Sequence, residues 1–119
     1  MLVRCTVYGK PRTKKNHGEI VMRGRYPKLL PSHPWRLWCA TCRIESVGDV
    51  PIGEPVNMAA NFYRDANRGD LMGYIDGLAD LLEKHGILEN DKWIKSLDGC
   101  RLHVDKKNPR VDVEFEVFK

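Results

Sequence analysis

The chain has 119 residues and a net charge of +4, and its apolar share of 42% is that of a globular protein rather than a disordered one. This length fits one core, so we expect a single domain over residues 1–119. No stretch approaches the roughly eighteen apolar residues of a membrane span, and the N-terminus is typical of a strand rather than a signal peptide. We therefore expect a cytoplasmic protein without a membrane partner, whose four cysteines stay reduced.

The charges are unevenly distributed. Residues 10–36 contain many Lys and Arg and one acidic residue, Glu19, whereas the acidic residues gather between Asp65 and Asp98. A basic segment suits a polyanion and a carboxylate-rich segment suits a cation, which together indicate metal-dependent chemistry on nucleic acid. Two solvated surfaces would give the same pattern, so charge alone leaves both interpretations open.

The first third of the chain predicts strands followed by a helix. Residues 2–8 alternate as a strand does, and residues 19–25 suit a short strand and turn. Ser32 is a suitable N-cap, with Pro34 in the first turn, for a helix that continues to about Val47 and ends at Gly48. Its apolar positions recur at three- and four-residue steps and are Trp35, Trp38, Cys39, Cys42 and Val47.

The remainder predicts a strand, a helix and two further strands. Residues 55–63 alternate as a strand, and residues 71–84 have a helical apolar stripe closed by His85 and Gly86. Residues 93–104 suit a strand with an irregular middle, and residues 111–118 alternate almost perfectly. The order β-(β)-α-β-α-β-β predicts an α/β (α+β) fold, in which two helices pack on one face of a mixed sheet of four to five strands.

The predicted second helix has an acidic side. Met72, Asp76, Asp80 and Glu83 share it, turned away from the apolar stripe. Carboxylates in this arrangement suit Mg²⁺, although the solvated side of an amphipathic helix looks the same. Gly73 and Gly77 lie four apart and would permit close approach of another backbone, either a second subunit or the chain's own first helix.

The Cys39-x-x-Cys42 pair allows two interpretations. A structural zinc site would need two further ligands, and only scattered candidates exist. A thioredoxin-type role would require the pair at a helix start rather than inside the helix. Two cysteines on the buried face of a helix are more often core residues, which is the interpretation we favour.

Three stretches together resemble the RusA family of phage and bacterial Holliday junction resolvases. They are GKPRTKKN (residues 9–16), RGDLMGYIDGLADLL (68–82) and GILEND (86–91). Family members typically carry Asp-Leu-Asp-Asn at the helix start, Asp-Ala-Leu further along the helix and Asp-Asp before the next strand. By this resemblance Asp70 matches the first catalytic acid, Asp80 the mid-helix acid and Asp91 the last catalytic acid.

The chain departs from the family at three positions. Met72 stands at the second acid of the opening motif, Gly73 at the following Asn, and Asp76 at the helix Lys. Residues 72 and 76 are neighbours on one helical face. Our hypothesis is that Asp76 supplies the carboxylate that Met72 cannot.

The resemblance implies a homodimeric Mg²⁺-dependent endonuclease, with Mn²⁺ as a substitute ion, that makes paired nicks in a four-way DNA junction. The implied metal ligands are Asp70, Asp76, Asp80 and Asp91. The implied catalytic residues are Asp70, Asp76, Asp91 and Lys92. The implied phosphate-binding residues are Lys10, Arg12, Lys14, Lys15, Arg23, Arg25 and Lys28.

Two alternatives differ in class. A module with the same fold that binds branched DNA without cleaving it would account for Met72. An interaction protein whose acidic helix docks a basic partner would leave residues 10–28 without a purpose.

Overall fold

A computed structural model describes residues 2–14, 19–24, 26–30 and 32–119, and for the strands within 19–30 it describes the backbone. The elements in chain order are β1 (Val3–Tyr8), β2 (Glu19–Arg23), β3 (Tyr26–Leu30), α1 (His33–Thr41), β4 (Arg43–Gly48), β5 (Val56–Arg64), α2 (Leu71–Lys84), a single 3₁₀ turn (Asp91–Trp93), β6 (Ile94–Ser96), β7 (Arg101–Val104) and β8 (Arg110–Val117).

Six of these strands form one mixed sheet in the order β4-β1-β8-β5-β6, with β7 also paired to β5. β6 and β7 run parallel to β5, and the other neighbours are antiparallel. β2 and β3 form a separate antiparallel hairpin. The predicted mixed sheet with two helices is therefore confirmed, with more strands than the four to five expected.

The core lies between one face of this sheet and the two helices. β5 shows why: Val56, Met58, Ala60 and Phe62 are buried, while the residues between them are half-exposed. The strand alternation that the sequence predicts for β1, β5 and β8 is thus confirmed, because successive side chains point to opposite faces of a sheet. Trp35 and Trp38 of α1 and Leu78 and Leu82 of α2 complete the same cluster.

The predicted length of α1 is wrong. The helix begins after its N-cap Ser32 as expected but ends at Thr41, and the segment predicted as its second half is the strand β4. This segment pairs along its whole length with β1, which gives that strand a second partner. Val47, predicted on the buried face of the helix, is 69% exposed on the edge strand.

Two shorter predictions are also corrected. Trp93 belongs to the 3₁₀ turn rather than to a strand, and residues 94–104 form two short strands separated at the irregular middle that the sequence predicts. The strand predicted from residue 19 exists as β2, and Gly24 is in a turn, while Arg25 lies outside the described residues. β2 belongs to a hairpin whose second strand, β3, is not predicted.

Candidate metal and nucleic-acid site

The acidic face of α2 forms as the sequence predicts. Residues on the opposite side of the helix, among them Ile75, Leu78 and Leu82, are buried. Asp76 is exposed, and Asp80 is half-buried with 23% of its side chain accessible. Met72 on the same side is 61% exposed.

The chain after α2 turns back and brings Asp91 to the end of this face. His85 caps the helix, and Gly86, at φ +75°, adopts the left-handed conformation that reverses the chain. Leu88 is then fixed by a parallel bridge to Ile52. The backbone N–H of Asp91 donates to the Glu83 carboxylate. Asp91 therefore meets α2 near its last turn.

Lys14, from the basic segment, projects into these carboxylates. Its ammonium forms an ion pair and hydrogen bond with Asp80. That hydrogen bond raises the pKa of Lys14, burial opposes the rise, and the negative charges of Asp80, Asp76 and Asp91 add to it. A residue predicted to hold a DNA phosphate thus lies in the same cluster as three predicted metal ligands.

The backbone next to Lys14 is fastened by a buried serine. The Ser32 N–H donates to the carbonyl of Lys14 at 2.9 Å, and its hydroxyl donates to the carbonyl of Thr13 at 2.9 Å. Ser32 is also the N-cap of α1 and is 1% exposed. One residue therefore joins the basic segment to the start of α1.

Gly73 and Gly77 let this segment lie against α2. A Cβ at Gly77 would be 3.1 Å from the carbonyl oxygen of Arg12 and 3.1 Å from Trp35 Nε1, and a Cβ at Gly73 would be 3.3 Å from the Thr13 methyl group. The Trp35 indole N–H donates to the Gly77 carbonyl at 3.0 Å. The close approach that the two glycines predict is therefore made by the chain itself, through its basic segment and its first helix.

Asp70 lies at the other end of α2. It is the exposed N-cap, and its carboxylate accepts from the N–H of Gly73. Asp70 and Asp80 are ten residues apart, about 15 Å along a helix axis. The structure thus pairs Lys14 with Asp80, with Asp76 one turn earlier on the same face and Asp91 near the last turn of α2, and holds Asp70 in a capping role a few turns away.

The loop before Asp70 is held by Asp65, Arg64 and Tyr74, which sequence reasoning missed, and by Arg12, which was predicted to bind phosphate and is paired with Asp65 here. Asp65 accepts from Arg12 at 2.8 and 3.4 Å and from Arg68 at 3.1 Å. The carbonyl of Arg68 accepts from the guanidinium of Arg64 at 3.1 Å and from the hydroxyl of Tyr74 at 2.8 Å. The density of charged residues before α2 was the available signal, but no spacing rule pairs Arg12 with a residue 53 positions away.

The other predicted site residues are more dispersed. Lys10 is exposed at the start of the basic segment, and Lys92 is exposed with its ammonium 5.0 Å from the centre of the Trp93 ring. Lys15 and Arg25 lie outside the described residues. Arg23 and Lys28 belong to β2 and β3, where the backbone alone is described.

The carboxylates of this cluster suit Mg²⁺ in their chemistry, because Mg²⁺ takes oxygen ligands and is usually held by one or two carboxylates together with water and substrate phosphate. In the described ranges no three His, Cys, Asp or Glu side chains form a group that could hold a metal ion as they stand. Asp80 is paired with the Lys14 ammonium. The carboxylate oxygens are therefore of the kind that Mg²⁺ binds, but in this structure they are not arranged around an ion, and the charge of Asp80 is neutralised by Lys14.

The cysteine pair lies apart from this cluster, at the end of α1. Cys39 is half-buried in the helix, but Cys42 follows it as the C-cap, which corrects the prediction that both lie on a helix face. Burial raises the pKa of the Cys39 thiol to about 11. Cys42 Sγ is 3.7 Å from His85 Nε2.

Comparisons with known proteins add no identification: no family model matches the chain, and no curated protein sequence matches it. Among the described residues, no helix has the length and apolar character needed to cross a membrane.

Proposed function

We propose that this protein is a Mg²⁺-dependent endodeoxyribonuclease of the RusA type, which resolves four-way or branched DNA by paired phosphodiester nicks in DNA recombination and repair. It would act as a homodimer in the cytoplasm. The observation that carries the proposal is the contact between the two charge segments: Lys14 of the basic segment pairs with Asp80 on the acidic face of α2, which also carries Asp76. A metal-dependent nuclease needs phosphate-binding cations and metal-binding carboxylates side by side.

In this proposal Asp76, Asp80 and Asp91 hold the ion. Asp70, predicted as a further ligand, caps the other end of α2 and would not reach the same ion in this arrangement. A divalent cation bound there would stabilise charge on the scissile phosphate and activate water for in-line attack. Lys10 and the other cations of the basic segment would hold neighbouring phosphates, and exposed Lys92, next to Asp91, would stabilise the developing charge.

The test is cleavage of a synthetic four-way junction with and without Mg²⁺, with linear duplex run alongside. Wild type should give paired nicks that require the metal. Asp91→Asn should reduce their rate by about a hundredfold or more, the usual scale for loss of a group that acts on the transition state. The matched control is Asp98→Asn, in the exposed turn between β6 and β7, which should cleave as wild type does.

Asp76→Asn tests the replacement of the missing family acid. Met72 and Asp76 are both exposed and lie one turn apart on α2. Asp76→Asn should therefore lose metal-dependent cleavage, and full retention would disprove the role given to Asp76.

The second candidate is a module that binds branched DNA without cleaving it, and the observation in its favour is the apolar Met72 on the acidic face. Tight junction binding by wild type, with no cleavage in Mg²⁺ or Mn²⁺, would establish this function instead.

A further inference from the structure

A groove with a volume of about 700 Å³ lies between the basic segment, α1 and the loop before α2. Its apolar surface comes from Leu37 and Trp38 of α1 and from Tyr8 and Tyr74. Leu37 is 53% exposed, whereas Trp38 and Tyr74 are buried. Grooves of this size, largely apolar with a few polar groups, are typical of small-ligand sites.

The charged side chains that line the groove are all positive. Among the described residues its lining includes Lys10, Arg12 and Arg68 and no Asp or Glu. Arg12 and Arg68 share a single carboxylate, Asp65, which is not part of the lining, and the Arg68 side chain remains 59% exposed. The groove therefore offers net positive charge next to aromatic and aliphatic surface.

Trp38 carries an unused hydrogen-bond donor. The residue is 4% exposed, and its indole N–H has no acceptor in the described structure. A buried donor left unpaired is costly, so most buried donors in proteins have a partner. The nitrogen lies beside Gly9, which also lines the groove: a Cβ there would be 3.7 Å from it. An acceptor that enters the groove next to Gly9 would approach this donor.

We propose that the groove binds one unpaired nucleotide of a DNA strand. Its phosphate would lie at Lys10 and Arg68, and its base, which has both an apolar face and hydrogen-bond acceptors, would lie against Leu37 with an acceptor directed to the Trp38 indole N–H. The inference deepens the proposed nuclease function and rests on it for the source of the ligand, since base stacking is interrupted at a branch point and a nucleotide is displaced there at lower cost than within a continuous duplex. Gly69, which lines the groove, directly precedes Asp70.

The test is fluorescence anisotropy with a labelled dT₁₂ single strand and a duplex of equal length, in EDTA. Leu37→Glu places a negative charge in the groove mouth at an exposed position and should weaken dT₁₂ binding by about tenfold or more, in line with the stacking of one base. Val47→Glu is the matched control, because Val47 is 69% exposed on β4 and lies near the end of that strand remote from the groove residue Tyr8. It should bind dT₁₂ within about twofold of wild type, the spread expected for a change away from the site.

The two proposals fail separately. If Leu37→Glu binds dT₁₂ as tightly as Val47→Glu does, the groove is not a nucleotide site, even if wild type cleaves junctions. If dT₁₂ binding depends on Leu37 while wild type does not cleave a junction in Mg²⁺, the groove proposal stands and the nuclease proposal fails.

Discussion

Lys14 does in this molecule what a bound cation would do, since it neutralises carboxylates that would otherwise repel one another. Its side chain and that of Asp80 are 28% and 23% exposed. The pair is thus less screened by solvent than a surface salt bridge and less costly to desolvate than a fully buried one. A divalent cation that enters the cluster competes with this ammonium for Asp80.

Lys14→Met should therefore destabilise the protein without metal and enlarge the stabilisation that metal gives. In EDTA the variant should lose about 1–2 kcal/mol, because the half-buried Asp80 carboxylate is left without its cation. In MgCl₂ its Tm should rise more than that of wild type, because binding to the folded state stabilises it. Thermal unfolding in both buffers measures this, with the exposed Lys95→Met as control. If Mg²⁺ raises the Tm of Lys14→Met no more than it raises the Tm of wild type, competition at Asp80 is ruled out.

Asp65 gives a prediction about pH. The hydrogen bond from Arg12 lowers the pKa of Asp65 below its ordinary value of 3.8, burial opposes this, and the charges of Arg12 and Arg68 add to the lowering. Because the folded pKa lies below the unfolded one, the stabilisation is fully present above about pH 4 and is lost as the pH falls through the folded value.

Asp65→Asn should accordingly lower the free energy of unfolding by about 1–2 kcal/mol at pH 7. The gap from wild type should narrow as the pH falls below 3.8, because wild type loses the same interaction by protonation. Urea denaturation across this range measures the gap, and the exposed Asp49→Asn is the control. A gap of constant size down to the lowest pH would contradict the role of the ionised carboxylate.

At the scale of elements, local pattern determined some boundaries and not others. α2 has its cap residues and apolar stripe within its own sequence, so its bounds, Leu71–Lys84, match the prediction. α1 and β4 do not separate by pattern, because the helical spacing of the apolar residues runs past Thr41. The strand β4 is selected by pairing with β1, a partner some forty residues earlier, which no local window contains.

In the candidate site, too, some features follow from local sequence pattern and others depend on tertiary contacts. The shared face of Asp76 and Asp80 follows from helical periodicity, and it was predicted. The position of Asp91 depends on how the chain reverses at Gly86. The contact between Lys14 and Asp80 joins residues 66 positions apart. Such contacts depend on tertiary packing, in this case on the space that Gly77 leaves.

Gly77→Val tests that space. Glycine is a poor helix former, so intrinsic propensity predicts that the substitution would stabilise α2. A Cβ there lies 3.1 Å from the Arg12 carbonyl and 3.1 Å from the Trp35 indole nitrogen, so we expect the opposite sign, a loss of about 2 kcal/mol from overpacking. Chemical denaturation measures it. Met72→Val, on an exposed position of the same helix, reports the β-branched cost alone, and equal values for the two variants would show that the space is not needed.

At the scale of the whole molecule, the proposed paired nicks require two catalytic centres, and one copy of the chain supplies one. Two opposed strands must be cut at a junction, and the described part of the chain has one carboxylate cluster with Lys14 at its centre. The proposed function therefore requires two copies, and most homodimers of soluble proteins have twofold symmetry, which a four-way junction can match.

Mixed dimers make this requirement measurable. Wild type should sediment as a dimer and convert a supercoiled plasmid with an extruded cruciform mainly to linear DNA, since both nicks fall within one binding event. Mixed dimers of wild type and tagged Asp91→Asn, isolated by the tag, should give nicked circles instead, because one centre of each pair is inactive. Asp98→Asn in the tagged subunit is the control and should restore linear product. A wild-type monomer that still gives linear DNA in one event, or mixed dimers that give it at the wild-type rate, would show that the two cuts do not come from two copies.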